Sequence, residues 1–82
     1  MFYVREIKPG DVFRTIEIIN FFDCGTNKLF EIPKNKLFVI TKFKIIKDFP
    51  GDSLCYMQIY YNNRLYYFHK KSCFFPAIME KL

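Results

Sequence analysis

A chain of 82 residues makes one small domain with a single core, and at this size it buries only about 60–65% of its unfolded surface, which leaves little room for a deep cleft. Aromatic residues are 21% of the sequence, with eleven Phe and six Tyr, so few positions suffice for a dense core and a disordered chain is excluded. The net charge of +5 favours an acidic partner, although the lysines are spread along the chain rather than clustered.

Residues 6–11 read Glu-Ile-Lys-Pro-Gly-Asp and predict a turn in which Pro9 presets φ and Gly10 accepts a positive φ. Val12 to Ile19 is rich in β-branched residues and predicts a strand. Asn20 to Lys28 reads as a loop, and Leu29 to Ile32 as a short strand stopped by Pro33, whose ring removes a ladder donor. Lys34 to Lys36 makes the next turn. From Leu37 to Ile46 the residues alternate, with Leu37, Val39, Thr41, Phe43 and Ile45 on one face and Phe38, Ile40, Lys42, Lys44 and Ile46 on the other. That period marks a half-buried strand. Pro50 and Gly51 suit positions i+1 and i+2 of a type II turn. Leu54 to Tyr61 is a further strand, Asn62-Asn63 a two-residue hairpin loop, and Arg64 to His69 its partner. Pro76 at a first helical position, followed by Ala77, Ile78 and Met79, allows one closing helical turn.

Five strands at short spacing cannot leave a flat sheet with two open edges. The expected fold is a single, mainly β domain over 1–82, a small, strongly bent five-stranded barrel. The opening Ile7-Lys8-Pro9-Gly10-Asp11-Val12-Phe13, a long loop, three hairpin-linked strands and a terminal turn resemble the SH3-like small barrels, including KOW-type modules. The short sequence rich in Lys, Asn, Ile, Phe and Tyr also resembles early proteins of bacteriophages with AT-rich genomes. The first resemblance implies nucleic-acid binding. The second implies a small host-directed protein that inhibits or redirects a host macromolecule in the host cytoplasm.

Residues for catalysis are scarce. His69 is the only histidine, and Cys73 follows it across a strand end at a spacing that specifies no thiolate–imidazole pair. The acids fall mostly in turns, where Asp bonds its own backbone. Gly25-Thr26-Asn27-Lys28 lacks the spacing of a phosphate loop. Cys24, Cys55 and Cys73 are odd in number and show no metal-ligand spacing, so neither a disulfide framework nor a zinc site is indicated. They are expected to be reduced, structural thiols in a reducing compartment. The charge pair Arg5-Glu6 interrupts any leader-like apolar run, and no segment has the ~18 apolar residues of a spanning helix. The expectation is a non-enzymatic cytoplasmic protein without cofactor, metal, small-molecule substrate or membrane contact.

The hairpin supplies a candidate surface. A two-residue Asn62-Asn63 loop sets Tyr61 opposite Arg64 and fixes the rest of the register. Met57 then meets Phe68, and Ile59 meets Tyr66, on a core-like face. With Val39 and Phe43 from the preceding strand, Met57, Ile59 and Phe68 are expected to be buried together. The opposite face carries Lys42, Lys44, Tyr56, Gln58, Tyr60, Tyr67 and His69. Interleaved cations and aromatics suit protein contacts, where Tyr is a favoured anchor. They also suit nucleic acid, where rings stack on bases and lysines follow phosphates. Cross-strand packing with nothing bound is the third use of such a face. A host protein is the leading expected partner and nucleic acid the alternative.

Overall fold

Seven antiparallel strands form one sheet in the computed structural model, which describes residues 4–82. They are β1 (Val12–Thr15), β2 (Ile19–Asp23), β3 (Leu29–Ile32), β4 (Leu37–Phe49), β5 (Asp52–Tyr61), β6 (Arg64–Lys71) and β7 (Met79–Lys81). Their order is β3-β2-β6-β5-β4-β1-β7. The sheet must curl. The four steps from Thr15 to Ile19 reach at most ~14 Å, whereas β1 and β2 would stand ~19 Å apart across four strand spacings of a flat sheet. The result is a half-barrel with strands β3 and β7 at its two edges.

Seven strands replace the five expected, for two reasons. The β-branched run from Val12 to Ile19 is broken after Thr15, where the N–H groups of Ile16 and Glu17 both point at the carbonyl of Ile78 (2.8 and 3.4 Å). The chain then crosses to the far side of the sheet. There residues 19–23 pair with β3 and β6, so the expected loop begins only after Asp23. At the other end a single helical turn, α1 (Phe75–Ile78), does form, with Pro76 at its second position rather than its first. Met79 leaves that turn in extended conformation to begin β7 alongside β1.

The turns follow their residues. Gly10 and Gly51 have φ of +94° and +74°, as the second central position of a type II turn requires. Asn62 and Asn63 both have positive φ, 52° and 65°, the conformation of a type I′ hairpin whose twist matches that of its strands. Tyr61 accordingly faces Arg64, Met57 faces Phe68 and Tyr56 faces His69. The β4–β5 register sets Phe43 against Met57, Lys42 against Gln58 and Lys44 against Tyr56.

Val39 does not join the core. Strand β4 carries a bulge between Ile40 and Lys42 and another between Ile45 and Lys47. Thr41 is the extra residue at the first, and its hydroxyl donates to the Gln58 carbonyl at 3.1 Å. A bulge shifts side-chain alternation by one. Phe38 and Ile40 therefore point inward before it, Phe43 and Ile45 after it, and Val39 lies on the opposite face across from Tyr60. Phe43 is half-buried, edge-on to the Phe75 ring at 6.4 Å.

Aromatic rings fill the inside of the curl. Phe13, Phe21, Phe38, Phe68 and Phe75 are fully buried. Phe21 stacks on Phe68 at 4.6 Å, and Phe68 on Phe75 at 5.8 Å. Phe75 thus plugs the half-barrel from the helical turn. Of the cysteines expected to pack as apolar residues, only Cys55 is buried; Cys24 and Cys73 are exposed, and all three are free thiols.

Candidate functional site

The face of β2, β6, β5 and β4 turned away from the core brings together all seven residues expected there. Lys42 and Lys44 project from β4, Tyr56, Gln58 and Tyr60 from β5, and Tyr67 and His69 from β6. Their rings form a continuous ladder. Phe22 of β2 stacks on Tyr67 (5.6 Å), Tyr67 on Tyr56 (5.9 Å), and Tyr56 meets His69 at 5.2 Å. Each such pair contributes about 0.5–1.5 kcal/mol beyond area burial, so the ladder also braces the sheet across three strands.

The phenol groups are tied down. Tyr56 donates to Gln58 Oε1 (3.1 Å), Tyr60 to Asn63 Oδ1 (3.0 Å) and Tyr67 to Asn27 Oδ1 (3.0 Å). Burial pushes the Tyr56 phenol above its usual range, with the neighbouring Cys24 and Tyr67 adding to the effect. It stays a neutral donor at physiological pH.

The loop after β2 is fastened to this face from below. The Asp23 carboxylate accepts Arg64 Nη1 at 2.9 Å and the N–H groups of Gly25 and Thr26 at 2.7 and 3.1 Å. The Arg64 guanidinium, then the Gly25 N–H, hold its pKa below the ordinary aspartate value. Cys24 N–H in turn donates to the Leu65 carbonyl at 3.0 Å, which continues the β2–β6 pairing and sets Cys24 beside Leu65.

The surface is wider than the sequence indicated. Phe22, Leu29 and Leu65 share it, because Leu29 pairs with Phe22, Phe22 with Tyr67 and Leu65 with Tyr60. Leu29 is 60% exposed, Tyr60 45% and Leu65 40%. Phe22 and Cys24 fell in a segment read as loop, and no partner strand could be assigned to Leu29. Lys71 was legible, since alternation from Tyr67 through His69 continues to it. Lys47 was not, because the second bulge alone turns it to the side of Lys42 and Lys44. Both Lys47 and Lys71 pair across Leu54. Their ammonium groups stand 5.4 and 5.7 Å from the Phe49 ring.

The acidic groups at the β4–β5 turn form a structural clasp. Arg5 pairs with Asp48 at 2.9 Å, and Ser53 donates to Asp48 at 2.6 Å. Asp52 accepts the Ser53 N–H, the Ser72 hydroxyl and the Cys73 N–H at 2.8–3.0 Å. Among the described residues no three His, Cys, Asp or Glu side chains converge as metal ligands. Nor is any helix long and apolar enough to cross a membrane. Comparison with family models, curated proteins and solved structures gives no match.

Proposed function

We propose that this chain is a non-catalytic binding module that holds a partner protein against the outer face of its sheet. The observation that carries this reading is the contiguous run of Leu29, Phe22, Tyr67, Cys24, Leu65 and Tyr60, joined by cross-strand pairing and largely open to solvent. Contiguous exposed apolar groups rimmed by polar residues mark interaction surfaces, and Tyr and Phe are enriched in them. The resemblance to early bacteriophage proteins supports a host-directed role, in which the bound protein is a host component that is inhibited or redirected.

A second reading, nucleic-acid binding, is favoured by Lys42, Lys44, Lys47 and Lys71 lying on the same face as the ring ladder. It would agree with the likeness to SH3-like and KOW-type barrels. Affinity capture from host lysate, run beside gel-shift titration with single- and double-stranded nucleic acid at two salt concentrations, separates the two. Tyr60→Ser and Leu65→Ser, both at exposed positions, should leave the melting temperature near that of the parent. Binding of a protein partner should weaken by about 1–3 kcal/mol for an important ring. Normal binding by both variants would move the site elsewhere.

A further inference from the structure

Resting on the protein-binding reading, we infer that the partner presents an acidic segment carrying an apolar anchor, with its carboxylates on Lys42, Lys44, Lys47 and Lys71 and its anchor beside Leu65 and Tyr60.

The charge argument begins with pairing. The cross-strand neighbours of the four lysines are Gln58, Tyr56 and Leu54, none of them acidic. All four lysines are exposed. Among the described residues none of them joins a salt bridge, whereas Arg5, Arg14, Arg64 and Lys81 are each paired with a carboxylate. Lys8, Lys28, Lys34, Lys36 and Lys70 also lack a salt bridge among the described residues. What sets Lys42, Lys44, Lys47 and Lys71 apart is that they share one sheet face with no carboxylate among their cross-strand neighbours. Lys47 and Lys71 face each other across Leu54, with both ammonium groups near one ring. Two ammonium groups flanking one residue and one ring repel each other weakly through solvent, and a carboxylate between them replaces that repulsion with attraction.

The apolar half lies on the β2–β6 side of the same face. Cys24, Tyr60, Asn63, Arg64 and Leu65 line a shallow hollow there. Arg64 is already held by Asp23, so the open lining is chiefly Cys24, Tyr60 and Leu65. An apolar centre with charges to one side matches the core and rim of a protein interface. A nucleic acid fits less well. It makes no use of the aliphatic groups of Leu29 and Leu65, and the rings of Tyr56 and Tyr67 are engaged by one another and by Phe22 and His69. Attraction between such a face and an acidic segment acts mainly on association rate and falls with salt.

The test uses short random peptides displayed on particles, selected on the intact folded chain, then synthesised and measured by fluorescence anisotropy at low and high salt. Oligothymidylate serves as competitor. Selected peptides should combine Asp or Glu with Leu, Phe, Tyr or Trp. Charge reversal at Lys42, Lys44, Lys47 and Lys71 should weaken them at least about tenfold at low salt and less at high salt. Lys→Arg at the same positions should retain binding, and Leu65→Ser should weaken it at both salt concentrations. Lys→Gln replacements provide a milder set, and every variant is compared at a melting temperature matching the parent. Neutral or basic selected peptides, an absence of selected peptides, or indifference to charge reversal overturns the inference. In the last case, sensitivity to Leu65→Ser would leave the face reading standing, and insensitivity would remove both. Displacement of every selected peptide by oligothymidylate at lower concentration would assign the face to nucleic acid.

Discussion

The hydroxyl of Thr15 donates to the carbonyl oxygen of Pro33 at 2.7 Å, and the Thr15 hydroxyl oxygen in turn accepts the Lys36 N–H at 2.9 Å. Two main-chain bonds run beside them, Thr15 N–H to Lys36 O at 2.9 Å and Asn35 N–H to Thr15 O at 2.7 Å. Thr15 is fully buried. The last residue of β1 is therefore locked to the turn that launches β4, at the point where the chain leaves for the far side of the sheet.

Thr15→Val keeps the shape of the side chain and strands the Pro33 carbonyl and the Lys36 N–H. It should cost about 1–3 kcal/mol, the net contribution of two hydrogen bonds at about 0.5–1.5 kcal/mol each. Thr15→Ser should recover most of that loss. Urea denaturation reads both as a shift in midpoint at constant slope.

Core contacts differ sharply between two apolar residues of similar appearance in the sequence. Phe68→Ala removes a ring stacked on Phe21 and Phe75 and should cost about 3–5 kcal/mol. That is a large share of the ~4–12 kcal/mol available to a domain of this length. Val39→Ala, on the far side of the bulge, should cost less than about 1.5 kcal/mol. Thermal unfolding followed by circular dichroism compares them, and equal losses would place Val39 in the core and remove the bulge.

Acid should weaken the fold through the clasp at the β4–β5 turn. Burial alone would raise the Asp52 carboxyl, but the Ser53 N–H, the Ser72 hydroxyl and the Cys73 N–H outweigh it and bring the pKa down to about 2. Because this folded value lies below the unfolded 3.8, the stabilisation is complete above the unfolded value. It is lost as pH falls from about 4 through about 2. Asp48, held low by the Ser53 hydroxyl and then Arg5, and Asp23, held low by Arg64, act in the same direction. Asp52→Asn should be less stable than the parent at neutral pH and lose less between about pH 4 and 2, measured as denaturant midpoints across that range.

Thiol chemistry should divide the cysteines two to one. Cys24 and Cys73 are exposed and Cys55 is buried, so a thiol reagent should modify two sites in the native protein and the third only on unfolding. The two exposed sites should react slowly at neutral pH. Desolvation, then Asp23, raises the Cys24 thiol, and desolvation followed by the Asp52 contacts raises Cys73, while the thiolate is the reactive form. Rapid labelling at pH 7 would contradict this, as would a Cys55–Cys73 bridge in non-reducing mass spectrometry.

Local signals were legible where partners are adjacent in the chain. Asn62-Asn63 fixes the β5–β6 register, and the alternation of Lys42 to Ile45 aligns β4 with it, so the sequence alone brings the seven outer-face residues together. The bulges were hidden because Thr41 and Ile46 are ordinary strand residues, with no Gly or Pro to mark them. Strands β2 and β7 were hidden for a different reason. Asn20 and Asp23 read as loop residues, and the run that holds them becomes a strand only when β3 and β6 flank it. Met79 to Lys81 likewise needs β1, far away in sequence.

That last pairing has a consequence in time. The β4–β5 and β5–β6 ladders join neighbours through two-residue turns, and such local contacts form early because little chain entropy is lost in closing them. Phe13 opposite Lys81 and Thr15 opposite Met79 join segments separated by most of the chain. On the ribosome, where synthesis adds roughly 5–20 residues per second, the meander of β4, β5 and β6 can assemble while β1 still has one bare edge. Strand β1 acquires its second neighbour, and Phe75 its seat in the core, only after residues 75–81 have been made and have emerged from the ribosome. Until then the nascent sheet exposes an unpaired edge and an unplugged apolar interior, the features that recruit holding chaperones or a second strand.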